Sequence, residues 1–302
     1  MKERAVAQVY GLSRCAMLEQ LITYIFNGAI IGSAYGLMGV GLTLIFGLMN
    51  VVNFAHGEIY MLGAFVLFSL VTLLHFNYFL SIIIGMAAML LFGAVLERLV
   101  IKPIRHASVL MTALATMGLS IFIKNTALLI WGGVPKKILN PFPTASLKLG
   151  FLYVTELRIF CLFITIFFIL LLHYLIKKTK LGKAMRATFE NKDAAALMGI
   201  RVDRIYLYTF GIGSVLAATA GMLLGTIYLV YPTMGELAVL KAFIVVIMGG
   251  MGNFVGAFFS GIVLGISESM GAGFVSTGYK DAVGFVIVIL VLLFRPQGLF
   301  GE

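Results

Sequence analysis

The apolar positions of this chain neither alternate nor keep to one helical stripe; they run on without relief. Phe160–Leu172 (FCLFITIFFILLL) and Phe285–Phe294 (FVIVILVLLF) contain no charged residue. About 20 such residues cross the hydrocarbon core of a bilayer as a helix, whereas a membrane barrel needs short strands alternating apolar and polar. The runs predict membrane segments at roughly 18–50, 58–75, 79–98, 109–131, 151–176, 205–230, 239–270 and 282–296. The expected fold is all-α: a polytopic helical membrane protein of about eight to ten membrane segments, some short or broken. The linkers leave no room for a soluble domain, so residues 1–302 form one transmembrane domain, with the connection 177–204 as a distinct loop within it.

Composition supports the pattern. Of 302 residues, 61% are hydrophobic and 11% charged, against about 45–50% and about 25% in soluble chains. The 34 glycines suit helices that approach closely in lipid. Cys15 and Cys161 lie far apart, without disulfide or metal-ligand spacing. The basic start (Lys2, Arg4, Arg14) leads into an apolar run too long for a signal core, and reads as an uncleaved first helix.

The net charge of +10 reflects loops rather than a nucleic-acid surface, because Lys and Arg concentrate on the cytoplasmic side of membrane proteins. Lys177–Arg204 (KKTKLGKAMRATFENKDAAALMGIRVDR) is rich in Lys and Arg, against the acids Glu190, Asp193 and Asp203. It is therefore expected in the cytoplasm, with 97–108 on the same side and 132–150 outside. A basic N-terminus on that side would require 18–50 to cross twice or turn back, with Gly28, Gly32, Gly36, Gly39 and Gly41 as places to break. By the same count 239–270 must divide, at Gly249, Gly250 or Gly252. Asn53-Phe54 and Asn253-Phe254 each follow an apolar run and precede spaced glycines, suggesting an internal repeat. Interrupted segments at matching places in two halves point to a transporter's substrate path.

Two constellations carry candidate chemistry. Asn50, Asn53, His56, Gly57 and Glu58 crowd polar groups into an apolar region. They read either as a helix break lining a translocation pathway or gate, joined there by Gly250 and Asn253, or as a membrane face where His56 and Glu58 are solvated. Arg186–Met198 has helix-forming composition with Gly199 as its stop, and is either a docking helix or a basic loop on anionic lipid headgroups. Lys124, the Glu156/Arg158 pair and Glu268 read as structural or interfacial. There is no phosphate-binding loop, zinc-protease motif or nucleophile elbow.

Four blocks in order, LIFGLMNVVNFAHGEIYMLGAF, GKAMRATFENKDAAALMGIRVDRIY, LKAFIVVIMGGMGNFVGAFFSGIVLG and LFRPQGLFG, closely resemble the LivH-type permease of bacterial branched-chain amino acid ABC importers. The resemblance runs from about Gln20 to Gly301. It implies a non-catalytic inner-membrane subunit that binds no cofactor. Its implied partners are a LivM-like second permease, two cytoplasmic ATPase subunits that hydrolyse ATP, and a periplasmic substrate-binding protein. Asp193-Ala194-Ala195 followed by Gly199 resembles the D/E-A-A-x-x-x-G pattern of the ABC coupling helix, so Arg186, Glu190, Asp193, Ala194, Ala195 and Gly199 are the expected ATPase-coupling residues. The longer pattern of other importers is not evident downstream. Similar permeases serve amino acids, amides and urea-like solutes, and the residues do not choose among them. The competing reading is an ion-coupled secondary transporter of small solutes.

Overall fold

Among the described residues, eight helices are long and apolar enough to cross a membrane, and the chain is a multi-pass membrane protein. The computed structural model describes residues 2–143, 146–149, 152–274, 276–295 and 297–300. Helix α1 (Lys2–Met49) is followed by α2 (His56–Phe68), which ends in a π-helical turn (Ser69–Leu73). Helix α3 (Tyr78–Leu96) passes through a second π turn (Glu97–Ile101) into α4 (Lys102–Ile104) and is followed by α5 (Val109–Trp131). A small antiparallel hairpin, β1 (Ser146–Leu149) and β2 (Leu152–Thr155), precedes α6 (Glu156–Lys178). Within the segment expected at 151–176, Leu152–Thr155 is therefore strand and the helix begins at Glu156. Then come α7 (Lys180–Glu190), α8 (Lys192–Leu197), α9 (Val202–Ile227), α10 (Met234–Gly249), α11 (Phe254–Phe274) and α12 (Lys280–Phe294).

Helices α1, α2 and α9 form the centre, with Leu37, Ile45, Ile59, Phe65 and Phe210 fully buried. A helix apolar all round belongs in such a position. Their few hydroxyls return to the carbonyl four residues back, as Thr43 does to Gly39, Thr209 to Ile205 and Ser214 to Phe210, each at 2.8 Å. Each of these hydroxyls is thereby satisfied within its own helix, as the hydrocarbon interior requires. Helices α5, α6 and α12 are peripheral and turn Leu129, Phe163 and Leu293 outward.

The expectation that 18–50 breaks or crosses twice is wrong: α1 is one unbroken helix. Its glycines serve packing instead. Gly28, Gly32 and Gly36 recur every four residues on one face, against α11. A Cβ added to them would lie 2.6, 2.8 and 2.8 Å from backbone atoms of Ile266, Ile262 and Phe258. This is the small-residue contact that lets two membrane helices touch along their backbones. Residues Met17–Met49 number 33, about 50 Å of helix, and tilt or protrusion takes up the excess over the bilayer. The start of α1 therefore lies at the opposite end of the bundle from Lys177–Arg204. Its last turn meets that connection, with the Phe189 ring packed on Gly47 and Gly252.

Segment 239–270 does divide, as expected. Gly250 (φ 87°) and Gly252 (φ 91°) turn the chain between α10 and α11, in a conformation that side chains other than glycine resist. The expected helix 186–198 is two helices, because Asn191 leaves helical geometry and its side chain accepts from the Asp193 and Ala194 amides at 3.0 Å, capping α8. Gly199, at φ 83°, ends that element as expected.

Candidate functional site

After α1 ends, Asn50 takes a left-handed φ of 53°, which asparagine tolerates better than most residues. The chain then runs without helix through Val51–Asn53 and reaches α2 at His56. Thr116 of α5 anchors this stretch: its hydroxyl accepts from the Phe54 amide (3.2 Å) and donates to the Val52 carbonyl (3.0 Å). Asn53 Oδ1 accepts from the Ala55 amide at 3.1 Å. The connection thus re-enters the bundle and starts α2 deep inside it. Glu58 is bonded by the hydroxyl of Ser120 at 3.1 Å, and Ser120 is halfway along the 23-residue α5.

The solvated-face reading of His56 and Glu58 is therefore excluded: they are 0% and 1% exposed. His56 Nε2 lies 3.1 Å from the Met38 carbonyl, between α1 and α9. Gly57 meets Gly235 at the start of α10 so closely that a Cβ on either would strike the other's backbone. Asn53 Nδ2, His56 Nδ1 and Glu58 Oε2 are buried without a hydrogen-bond partner. Three polar atoms in six residues thus lie buried without a protein partner, where a closed core usually satisfies such groups; of the three, Glu58 Oε2 lies at the α2–α10 contact.

The structure does not bring all the expected pathway residues together. Asn50 is exposed and ends α1. Gly250 and Asn253 lie at the other end of α10 from Gly235, about 22 Å along the helix. There Asn253 Oδ1 accepts from the Gly256 amide (2.9 Å), and Nδ2 donates to the Phe300 carbonyl (3.0 Å), pinning the chain's last described turn. Asn53 and Asn253 thus both open a helix after a break, which is what the suspected repeat would share.

The second set lies on the connection between α6 and α9. Arg186 donates to the Ile176 carbonyl at the end of α6. Ala195 is buried, whereas Glu190 and Ala194 are exposed. Asp193 lines a cleft of about 260 Å³ with Met49, Arg105 and Tyr206. Arg105 and Lys102 both pair with Asp203 at the start of α9. Leu197 and Met198 project from the tip, 90% and 84% exposed.

Sequence reasoning missed Lys241. It sits in the apolar run LKAFIVVIMGG of α10 with its side chain only 9% exposed, 2.8 Å from Glu268 of α11 and 2.8 Å from Asp281 of α12. One lysine in the middle of an apolar segment, with a glutamate in the next, is a signal the sequence does carry. Lys124 also has a partner, Glu236, at 2.6 Å. Arg158 bonds Asn27 at 2.5 Å rather than Glu156.

Residues 24–292 match the family described as branched-chain amino acid transport system / permease component. The chain is 33% identical to the high-affinity branched-chain amino acid transport system permease protein LivH of Salmonella typhimurium, over 95% of this chain and 98% of the relative. It is 33% identical to LivH of Escherichia coli with the same coverage. It is 34% identical to the BraD permease of Pseudomonas aeruginosa, over 94% of this chain and 96% of the relative. No solved structure matches significantly.

Proposed function

The chain belongs to the branched-chain amino acid transport permease family, and we propose that it is the permease subunit of an ATP-driven importer of branched-chain or related amino acids. In this reading it lies in the inner membrane and pairs with a LivM-like permease. Two ATPases drive the pair, the cytoplasmic connection 177–204 is this chain's docking element for them, and a periplasmic protein delivers the substrate. The chain itself performs no catalysis and holds no cofactor. Family membership over nearly the full length does not favour an ion-coupled carrier acting alone.

The observation that carries the mechanism is Phe189, wedged between Gly47 at the end of α1 and Gly252 in the break between α10 and α11. A push on α7–α8 reaches both elements through that ring. Exposed Leu197 and Met198 supply an apolar tip for the ATPase. Within the bundle the pathway candidates divide into a mid-depth gate, Asn53 to Glu58 against Gly235, and a cytoplasmic hinge at Gly250 to Asn253. The subunit needs only two packings of similar energy, selected in turn by the ATPase cycle.

Purification of the tagged chain from its own membrane under mild detergent tests the reading. The expected result is co-purification of two ATPases and a second permease, with ATPase recovery reduced by Leu197→Asp/Met198→Asp and the second permease retained. A chain that purifies alone and drives uptake in liposomes from an ion gradient would overturn it.

A further inference from the structure

Two cavities meet at the end of the bundle opposite Lys177–Arg204, where α6 and α12 begin and α9 ends. One, of about 310 Å³, is lined by Arg158 of α6, Lys280 of α12 and Glu268 and Ser269 of α11, among others. The other, of about 370 Å³, shares Tyr35, Tyr228 and Lys280 with it and adds Lys241 and Asp281. Lys241 is fully engaged. Its Nζ lies 2.8 Å from Glu268 and 2.8 Å from Asp281, and donates to the Tyr35 hydroxyl at 3.1 Å. Arg158 and Lys280 are not: among the described residues neither forms an ion pair. Arg158 gives one of its guanidinium N–H donors to Asn27 and keeps the rest.

The charged residues lining the two cavities are Arg158, Lys241 and Lys280 against Glu268 and Asp281, three cations to two carboxylates. Glu156, two residues before Arg158, lines neither cavity. A surplus positive charge partly enclosed in a membrane bundle is costly until a counter-charge joins it. We infer that the joined cavities hold a small monovalent inorganic anion of the chloride class, seated between Arg158 and Lys280. Such an ion cancels the surplus, whereas a zwitterion leaves it unchanged and a cation adds to it. Glu268 is the one opposing charge in the smaller cavity. It is already taken up, with Oε2 on Lys241 and Oε1 facing Gly284 of α12. Hydroxyls of Ser269, Thr277 and Tyr228 line the same cavity and can donate to the ion. The space is larger than a bare halide, so the ion keeps part of its water. Bound there, it joins α6 to α12 at the end of the bundle away from the connection. The site rests on these charges alone and does not depend on the permease reading.

The test measures the unfolding temperature of the full chain, purified with whatever subunits accompany it, as sodium chloride replaces sodium gluconate at constant ionic strength. Chloride is expected to raise it saturably, by about 3 °C at ten times the half-saturating concentration. Arg158→Gln and Lys280→Gln are each expected to raise the half-saturating concentration about tenfold, the loss of roughly one charge-assisted hydrogen bond. Lys280→Gln breaks no hydrogen bond or ion pair among the described residues, so it reads the site even where Arg158→Gln, which also releases Asn27, fails to fold. Lys178→Gln, at the other end of α6, is expected to keep the parental value. Leucine is expected to leave the chloride dependence unchanged. No saturable effect of chloride over gluconate overturns the site, as does an unchanged half-saturating concentration in Lys280→Gln or an equal shift in Lys178→Gln. Competition between leucine and chloride would assign the cavity to an amino acid carboxylate and overturn the inorganic ion.

Discussion

At the scale of single residues, the informative groups are the buried ones that lack partners. Glu58 accepts one bond, from Ser120, and its other oxygen faces Gly235 unsatisfied. Ser120→Ala strips the last side-chain donor from a buried carboxylate and is expected to cost about 1–3 kcal/mol, read as a lowered unfolding temperature in detergent. Pairing it with Glu58→Leu removes both halves of the contact, so most of that stability should return. Uptake by the double variant is nevertheless expected to be lost, because the α2–α10 contact no longer holds a polar group to reorganise; full uptake would make Glu58 a structural residue only. His56→Ala empties the space between Gly41 and Met38 and should destabilise by about 2–4 kcal/mol, as large-to-small changes in packed cores do. Asn53, His56 and Glu58 were legible from sequence because they break an apolar run. Their depth was not legible: position near a segment end looks superficial until Thr116 is seen holding the connection inside the bundle. Lys241 stood equally alone in its run, yet its meaning depends on Glu268 and Asp281, which only the packing of three helices brings to it.

At the scale of elements, glycine is the residue whose role sequence leaves ambiguous. In Gly250 and Gly252 it turns the chain, and in Gly28, Gly32 and Gly36 it thins a helix so that α11 can lie against it. Both uses look alike in an apolar run; the four-residue spacing of the second set is the distinguishing mark, since a break needs no periodicity. Gly32→Leu forces a side chain into the backbone of Ile262. It is expected to cost at least about 1–3 kcal/mol from overpacking, seen as poor recovery of folded protein after membrane extraction. Gly118 of α5 is the control: a Cβ there has nothing within 4 Å, so Gly118→Ala should be neutral or stabilise by about 0.5–1 kcal/mol. Equal losses from both would mean that α1 and α11 do not pack as described. The start and end of α5 were foreseen from the apolar run, whereas the split at Asn191 was not, because Arg186–Met198 reads as one helix until the capping side chain is placed.

At the scale of the whole molecule, α10 joins three of the features described above. Its start meets Gly57, its middle carries Lys241, and its end turns at Gly250 beside Phe189. A rigid helix of 16 residues is about 24 Å long and transmits a displacement at one end to the other. Movement of α7–α8 against Gly252 would therefore shift the Gly57–Gly235 contact and the Lys241 cluster together. Phe189→Ala removes the ring that joins the connection to both α1 and α10–α11. Phe189 is half exposed, so its loss should leave the fold and the assembly with the ATPases intact. ATP hydrolysis by the reconstituted complex is expected to continue while amino acid uptake per ATP falls at least about tenfold, equivalent to about 1.4 kcal/mol of lost coupling. Phe189→Leu, which restores an apolar side chain against the two glycines, should recover part of it. Uptake per ATP unchanged in Phe189→Ala would show that force enters the bundle elsewhere, and the Asp193 cleft beside Met49 and Arg105 would be the next element to alter.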